Sequence, residues 1–96
     1  LGFCESGQGG TFTASGATRL DGSVPVNPSG GLVSRGHPIG ATGLMMLNEI
    51  CVQLRGEAGG NPIDDLRYAL AENGGGIVGN DIAVCPVSIL ERPMGA

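Results

Sequence analysis

The sequence predicts a small α/β domain, and three observations carry that reading. Apolar residues recur at helical spacing between residues 39 and 55, a run rich in β-branched residues (IAVCPVSIL) occupies 82–90, and glycines cluster between such stretches. Helical and extended segments in alternation imply helix packed on sheet. At 96 residues the chain has length for one small domain at most, taken here as residues 1–96.

Residues 1–23 are polar and glycine-rich and read as loop, with a short extended piece near Thr11–Thr13. VPVNPSGG (24–31) opens with β-formers and closes in a turn cluster, so it reads as a short strand entering a loop. The best-defined element follows. Leu44, Leu47, Cys51 and Leu54 recur at steps of three and four, and Met45, Ile50 and Val52 widen the stripe. The helix is predicted to start near Ile39–Ala41, with Pro38 in its first turn, where a missing N–H costs nothing. Arg55 and then Gly56 mark its end. IDDLRYALAEN (63–73) admits a short helix at its start or a strand at its end. GGGIVGND (74–81) reads as a turn-forming stretch. The 82–90 run reads as a strand in which Pro86 removes a ladder donor and forces an edge or a bulge. The tail after Leu90 reads as loose. Strand, helix and return strand together imply one crossover of an α/β layer.

Composition excludes several function classes. The net charge is −4, carried against five arginines and no lysine, and no basic cluster exists for nucleic acid. No apolar stretch reaches membrane-spanning length. Cys4, Cys51 and Cys85 are odd in number and widely spaced, which fits neither a disulfide framework nor a zinc site and implies reduced thiols in a cytoplasmic setting. Asp64 and Asp65 have no third ligand nearby in sequence, so no metal is expected. Nineteen glycines and three aromatic residues (Phe3, Phe12, Tyr68) leave few large anchors for an independent core. The chain therefore reads as part of a larger protein.

The chemistry concentrates in NPSGGLVSRGHPIGATG (27–43), a glycine-rich loop ending at a helix start. Free N–H groups and the helix dipole favour negative charge there. His37 is the chain's single histidine. Composition alone leaves it as a turn residue or as an imidazole placed to polarise a thiol or stabilise an oxyanion. Asn27 reads as a loop former that bonds nearby backbone. Glu72 is a solvated carboxylate or, if desolvated, a general base. Gly74–Gly76 form a tight turn or present backbone N–H groups to an oxyanion. The same GGGIVG mimics part of a dinucleotide fingerprint but lacks the strand-then-long-helix context. Tyr68 reads as a packing residue with a partnered hydroxyl, and Cys4 and Cys51 as small buried hydrophobes.

The ordered pattern N-x-x-G-G-x-x-x-x-G-H-P-x-G-A-x-G closely resembles the thiolase superfamily signature, and NPSGGLVSRGHPIGATG most resembles the sterol-carrier-protein type. CESGQGG (4–10) and CVQLRGEAG (51–59) also look like that subgroup, so the resemblance runs from Leu1 to about Leu90. It implies an αβαβα layered fold of two similar halves, of which this chain would be the C-terminal portion of the second. It implies acyl transfer on acyl-CoA thioesters, by Claisen condensation or by thiolytic cleavage of 3-ketoacyl-CoA. His37 would be the catalytic histidine that activates a cysteine in the first half. Coenzyme A enters as substrate, and no cofactor is expected. Implied partners are the remainder of the thiolase chain and a homo-oligomer, or a small OB-fold subunit. The isolated chain would be inert for want of the nucleophile.

One departure bears on mechanism. Many thiolases carry Cys-x-Gly-Gly-Gly near the end, where this sequence has Glu72-Asn73-Gly74-Gly75-Gly76. By resemblance Glu72 takes the acid/base position, Gly75 its oxyanion neighbour, and Gly74, Gly76 and Asn27 the surroundings of the substrate. Cys85 lies thirteen residues past Glu72 and does not align with the missing cysteine. The departure keeps two alternatives open: a thiolase-fold retro-aldolase, and a non-catalytic carrier or interaction subunit.

Overall fold

The computed structural model describes residues 1–93 and divides into two compact units, Leu1–Gly36 and a second beginning at His37. The mixture of helices and strands is the α/β content expected, although several elements differ from the reading above.

The first unit is built from loops and two short helices, α1 (Gly9–Ala14) and α2 (Gly31–Arg35). Thr11–Thr13 is therefore helical rather than extended. Helix α1 stops where the Ser15 hydroxyl donates back to the Phe12 carbonyl at 2.6 Å, a local bond that competes with helix continuation. The 24–26 stretch makes no strand. Val24 and Val26 donate N–H bonds to Ala17 and Thr18, but Pro25 between them has no donor and the ladder goes no further.

The second unit holds helix α3 (Thr42–Leu54) and strands β1 (Tyr68–Glu72), β2 (Gly75–Val78), β3 (Asp81–Val84) and β4 (Val87–Glu91). The strand pairs are antiparallel. β1 runs against β4 with Leu70 opposite Ile89, and β2 with β3 forms a hairpin with Ile77 opposite Ile82. The expected crossover of a parallel layer is thus not what these residues build, because no strand precedes α3 and the return strands pair with each other. The glycine-rich 74–81 segment, read as turn, supplies a whole strand, and only Gly79 and Asn80 form the hairpin loop. The 82–90 run is two strands. Cys85 and Pro86 join them, and Pro86 still accepts a bond from the Asn73 N–H at 3.1 Å.

Helix α3 lies on β1 and β4. It begins at Thr42, so Pro38 precedes it by a turn rather than sitting in it, and the Pro38 carbonyl caps the start by accepting from the N–H groups of Ala41 and Thr42, both at 2.9 Å. It ends as expected. Gly56 takes φ +73°, its N–H bonds to the Gln53 carbonyl, and the Glu57 N–H bonds to Val52. This Schellman arrangement uses glycine because the left-handed conformation strains a residue with a Cβ. The predicted apolar stripe is only partly buried. Leu54 is 6% exposed, the one apolar side chain buried among the described residues, whereas Leu44 at the other end is 71% exposed. Buried Gln53 ties the following loop down by donating to the Asn61 carbonyl at 2.7 Å and accepting the Ile63 N–H at 3.0 Å.

At the far end of β1, Tyr68 finds the partner its hydroxyl was expected to need, donating to Glu91 at 3.1 Å, with Arg67 on the same carboxylate at 2.8 Å. The cysteines are free thiols. Cys51 is half-buried, but Cys4 is exposed and is no core residue.

Candidate active site

The GHP loop delivers His37 to the approach of α3. The ring is exposed, and its Nδ1 lies 2.7 Å from the hydroxyl of Thr42, the first helical residue. Thr42 itself is 3% exposed, and its hydroxyl also reaches the Pro38 carbonyl at 3.1 Å. The other ring nitrogen, Nε2, has no hydrogen bond among the described residues. Sequence reasoning missed Thr42. The only signal for it was a hydroxyl residue five positions after the histidine, at a helix start where Ser and Thr are commonplace.

The ENGGG segment comes to the same end of α3. Gly43, second residue of the helix, is where it docks: a Cβ there would lie 2.8 Å from the Asn73 Nδ2 atom. A side chain at position 43 would have to move the end of the Asn73 side chain aside, and the close approach brings together two motifs thirty residues apart in sequence. Asn73 is held in turn by its N–H bond to Pro86.

Glu72 is the last residue of β1, half-buried rather than freely solvated. The Cys85 thiol donates to its Oε1 at 2.9 Å. Cys85 does not align with the missing family cysteine, yet the β3–β4 connection folds it against the residue that stands in that place. The hydrogen bond to Glu72 raises the Cys85 thiol above its ordinary range; partial desolvation and the negative charges of Glu72 and Asp81 push the same way. The thiol thus stays protonated over a pH range in which an ordinary cysteine has begun to ionise, and it is a proton donor rather than a ready nucleophile. Replacing Glu72 with glutamine removes the carboxylate charge. The expected result is a lower Cys85 pKa and faster iodoacetamide alkylation of that residue at pH 8.5, measured by peptide mass spectrometry. Unchanged alkylation would mean that Glu72 does not control the thiol.

Gly74 joins β1 to β2, and a Cβ there would come within 3.0 Å of Ile82 Cδ1. Gly75 and Gly76 open β2 rather than forming a plain turn, with Gly75 opposite Val84. Asn27 belongs to the first unit. It adopts φ +48°, its carbonyl accepts the Gly30 N–H at 2.8 Å, and its side chain lies where a Cβ on Gly31 would be 3.1 Å away. A role for Asn27 in shaping its own loop follows from these contacts.

The second unit therefore places a histidine, a thiol–carboxylate pair and a glycine-rich strand start around one end of a helix. Such a set can accept a proton, return one and stabilise developing negative charge.

The family model for the thiolase C-terminal domain-like group matches residues 1–90. The acetyl-CoA acetyltransferase of Methanothermobacter thermautotrophicus is 51% identical over 79 residues, covering 82% of this chain and 21% of that protein. Human sterol carrier protein 2 is 48% identical over 81 residues, covering 81% of this chain and 15% of that protein. Non-specific lipid-transfer protein-like 2 of Caenorhabditis elegans is 40% identical over 83 residues. The chain thus spans about a fifth or less of the length of these relatives. A match over nearly its whole length, through both the GHP loop and the ENGGG segment, makes this chain a member of the thiolase C-terminal domain family.

Proposed function

We propose that this chain supplies the histidine-bearing part of an acyl-CoA thiolase site, which makes or cleaves 3-ketoacyl-CoA thioesters with coenzyme A as substrate. The observation that carries the reading is His37: an exposed imidazole anchored through Nδ1 at a helix start, with Nε2 unengaged. In the proposed reaction Nε2 takes the proton of a cysteine thiol contributed by sequence outside this chain. In cleavage the thiolate attacks the 3-keto carbonyl, the adjacent carbon–carbon bond breaks, and the acyl group stays on the cysteine while the acyl-CoA enolate leaves and takes a proton; in condensation the thiolate attacks the thioester carbonyl of the acyl donor and CoA leaves. In both directions the imidazolium so formed donates to the oxyanion. Glu72 with Cys85 holds the proton exchanged with the leaving or attacking carbon or sulfur, and backbone N–H groups at Gly74–Gly76 supply a second oxyanion site. Asn27 supports the loop that precedes His37.

Glu72 at the position of a family cysteine favours one other reading, a thiolase-fold retro-aldolase acting with a small OB-fold subunit. The deciding experiment assays the full-length protein with CoA and a 3-ketoacyl-CoA, with and without such a subunit. The expected result is CoA-dependent loss of the 3-ketoacyl thioester. Cleavage of a 3-hydroxyacyl thioester to a carbonyl product, independent of added CoA, would replace thiolysis by the aldol reading. Neither activity would leave a non-catalytic carrier.

A further inference from the structure

We propose that Thr42 fixes the tautomer of His37 and so decides which nitrogen does the proton chemistry. The hydrogen-bond assignment stands on geometry alone; its catalytic consequence rests on the acyl-transfer reading above.

Thr42 Oγ1 touches two groups, the Pro38 carbonyl at 3.1 Å and His37 Nδ1 at 2.7 Å. A hydroxyl has one proton to give and lone pairs to receive. The carbonyl can only accept, so the Thr42 proton goes to Pro38. The short contact to the ring is then a bond in which Nδ1–H donates and Thr42 accepts. Neutral His37 consequently carries its proton on Nδ1 and its lone pair on Nε2, the nitrogen without a partner among the described residues. The arrangement is stiff. Thr42 is buried, it is anchored as the first residue of α3, and the Pro38 carbonyl is held by two further N–H donors. Turning the hydroxyl toward Nδ1 would give up its bond to Pro38, whereas the Nδ1–H arrangement keeps both contacts of the hydroxyl.

This wiring suits a residue that must act twice. When a thiol meets Nε2, the S–H bond breaks, an N–H bond forms at Nε2, and the imidazolium keeps its Nδ1–H on Thr42. The new Nε2–H is then the donor available to an oxyanion, with no rotation of the ring. The other tautomer would present N–H to the thiol from the start and could not accept its proton. Thr42 touches no reacting atom in this scheme and is a positioning residue.

The test uses the full-length protein with Thr42→Val, which keeps the shape, and Thr42→Ser, which keeps the hydroxyl. The Pro38 carbonyl retains its two backbone donors in either variant. Nitrogen-15 NMR of labelled histidine, with the His37 signal identified by its loss in His37→Gln, reads the tautomer directly. Expected are an Nδ1–H ring in the wild type and in Thr42→Ser, and a mixture in Thr42→Val. With these, kcat in Thr42→Val falls about 10- to 100-fold with KM changed less than about twofold, while Thr42→Ser stays within about threefold of wild type, on the usual scale of acid–base contributions. A wild-type ring protonated at Nε2, or a tautomer unmoved by Thr42→Val, overturns the assignment. A tautomer that shifts while turnover does not overturns the positioning role. The NMR result decides the assignment even if the protein proves not to be a thiolase.

Discussion

On the proposed acyl-transfer function, replacing His37 with alanine in the full-length protein is expected to lower kcat for CoA-dependent cleavage of a 3-ketoacyl-CoA by about a hundredfold or more, with little change in stability. The magnitude follows from what is lost. A preorganised oxyanion donor alone is worth about 10²–10³ in kcat, and a general base in the same residue adds a further contribution of about 10²–10⁴. The two roles fall on one nitrogen, so their losses overlap rather than multiply. The stability side follows from exposure. His37 is exposed, and its one side-chain partner, Thr42, keeps its bond to Pro38 when the ring is removed. Surface changes of that kind are usually worth within about 0.5 kcal/mol. Steady-state kinetics and a thermal melt on the same variant check both halves. Turnover within a few-fold of wild type would make His37 a loop residue and would remove the main support for acyl transfer.

The largest effect on folding is expected at Leu54. Leu54→Ala should cost about 2–5 kcal/mol, the range for deleting a buried leucine side chain. Domains of ordinary size are stable by only about 5–15 kcal/mol, so the loss is a large share of the total. Leu54 is 6% exposed at the end of α3, on the helix that packs against β1 and β4. Leu44 begins the same stripe and is 71% exposed, and Leu44→Ala should cost less than about 1 kcal/mol. Urea unfolding of the two variants, compared at equal m-value, separates them. Equal costs would mean that packing on β1 and β4 does not set the burial of this helix.

The contrast between these leucines shows how far periodicity reaches. The steps of three and four from Leu44 to Leu54 predicted a helix and its C-terminal stop at Gly56, because both depend on residues close in sequence. Periodicity names a face but not what lies against it, and along this face Leu54 is buried while Leu44 is exposed. The strands were legible less evenly. The β-branched residues of 82–90 marked extended chain, but its division at Cys85–Pro86 depends on pairing with β1. Gly74–Gly76 looked like turn because glycine has weak strand preference, yet hydrogen bonds to β3 supply what propensity does not. Thr11–Thr13 shows the converse, a threonine-containing stretch that local bonding closes into a helical turn.

The site divides in the same way. The sequence by itself determined family membership and the candidate imidazole, because the GHP signature is a contiguous, ordered run whose chemistry is written in residue type. It also marked Glu72 as the departure from the family pattern. Only the tertiary structure decided what surrounds these residues: Thr42 against His37, Asn73 against Gly43, and Cys85 against Glu72. The last two contacts join residues thirteen or more positions apart through strand pairing and helix packing, which no local pattern encodes. The first joins residues five apart, but a hydrogen-bond direction depends on the backbone path of the Pro38 turn. Residue types set which chemistry is available, and the fold sets which nitrogen and which thiol are in position to use it.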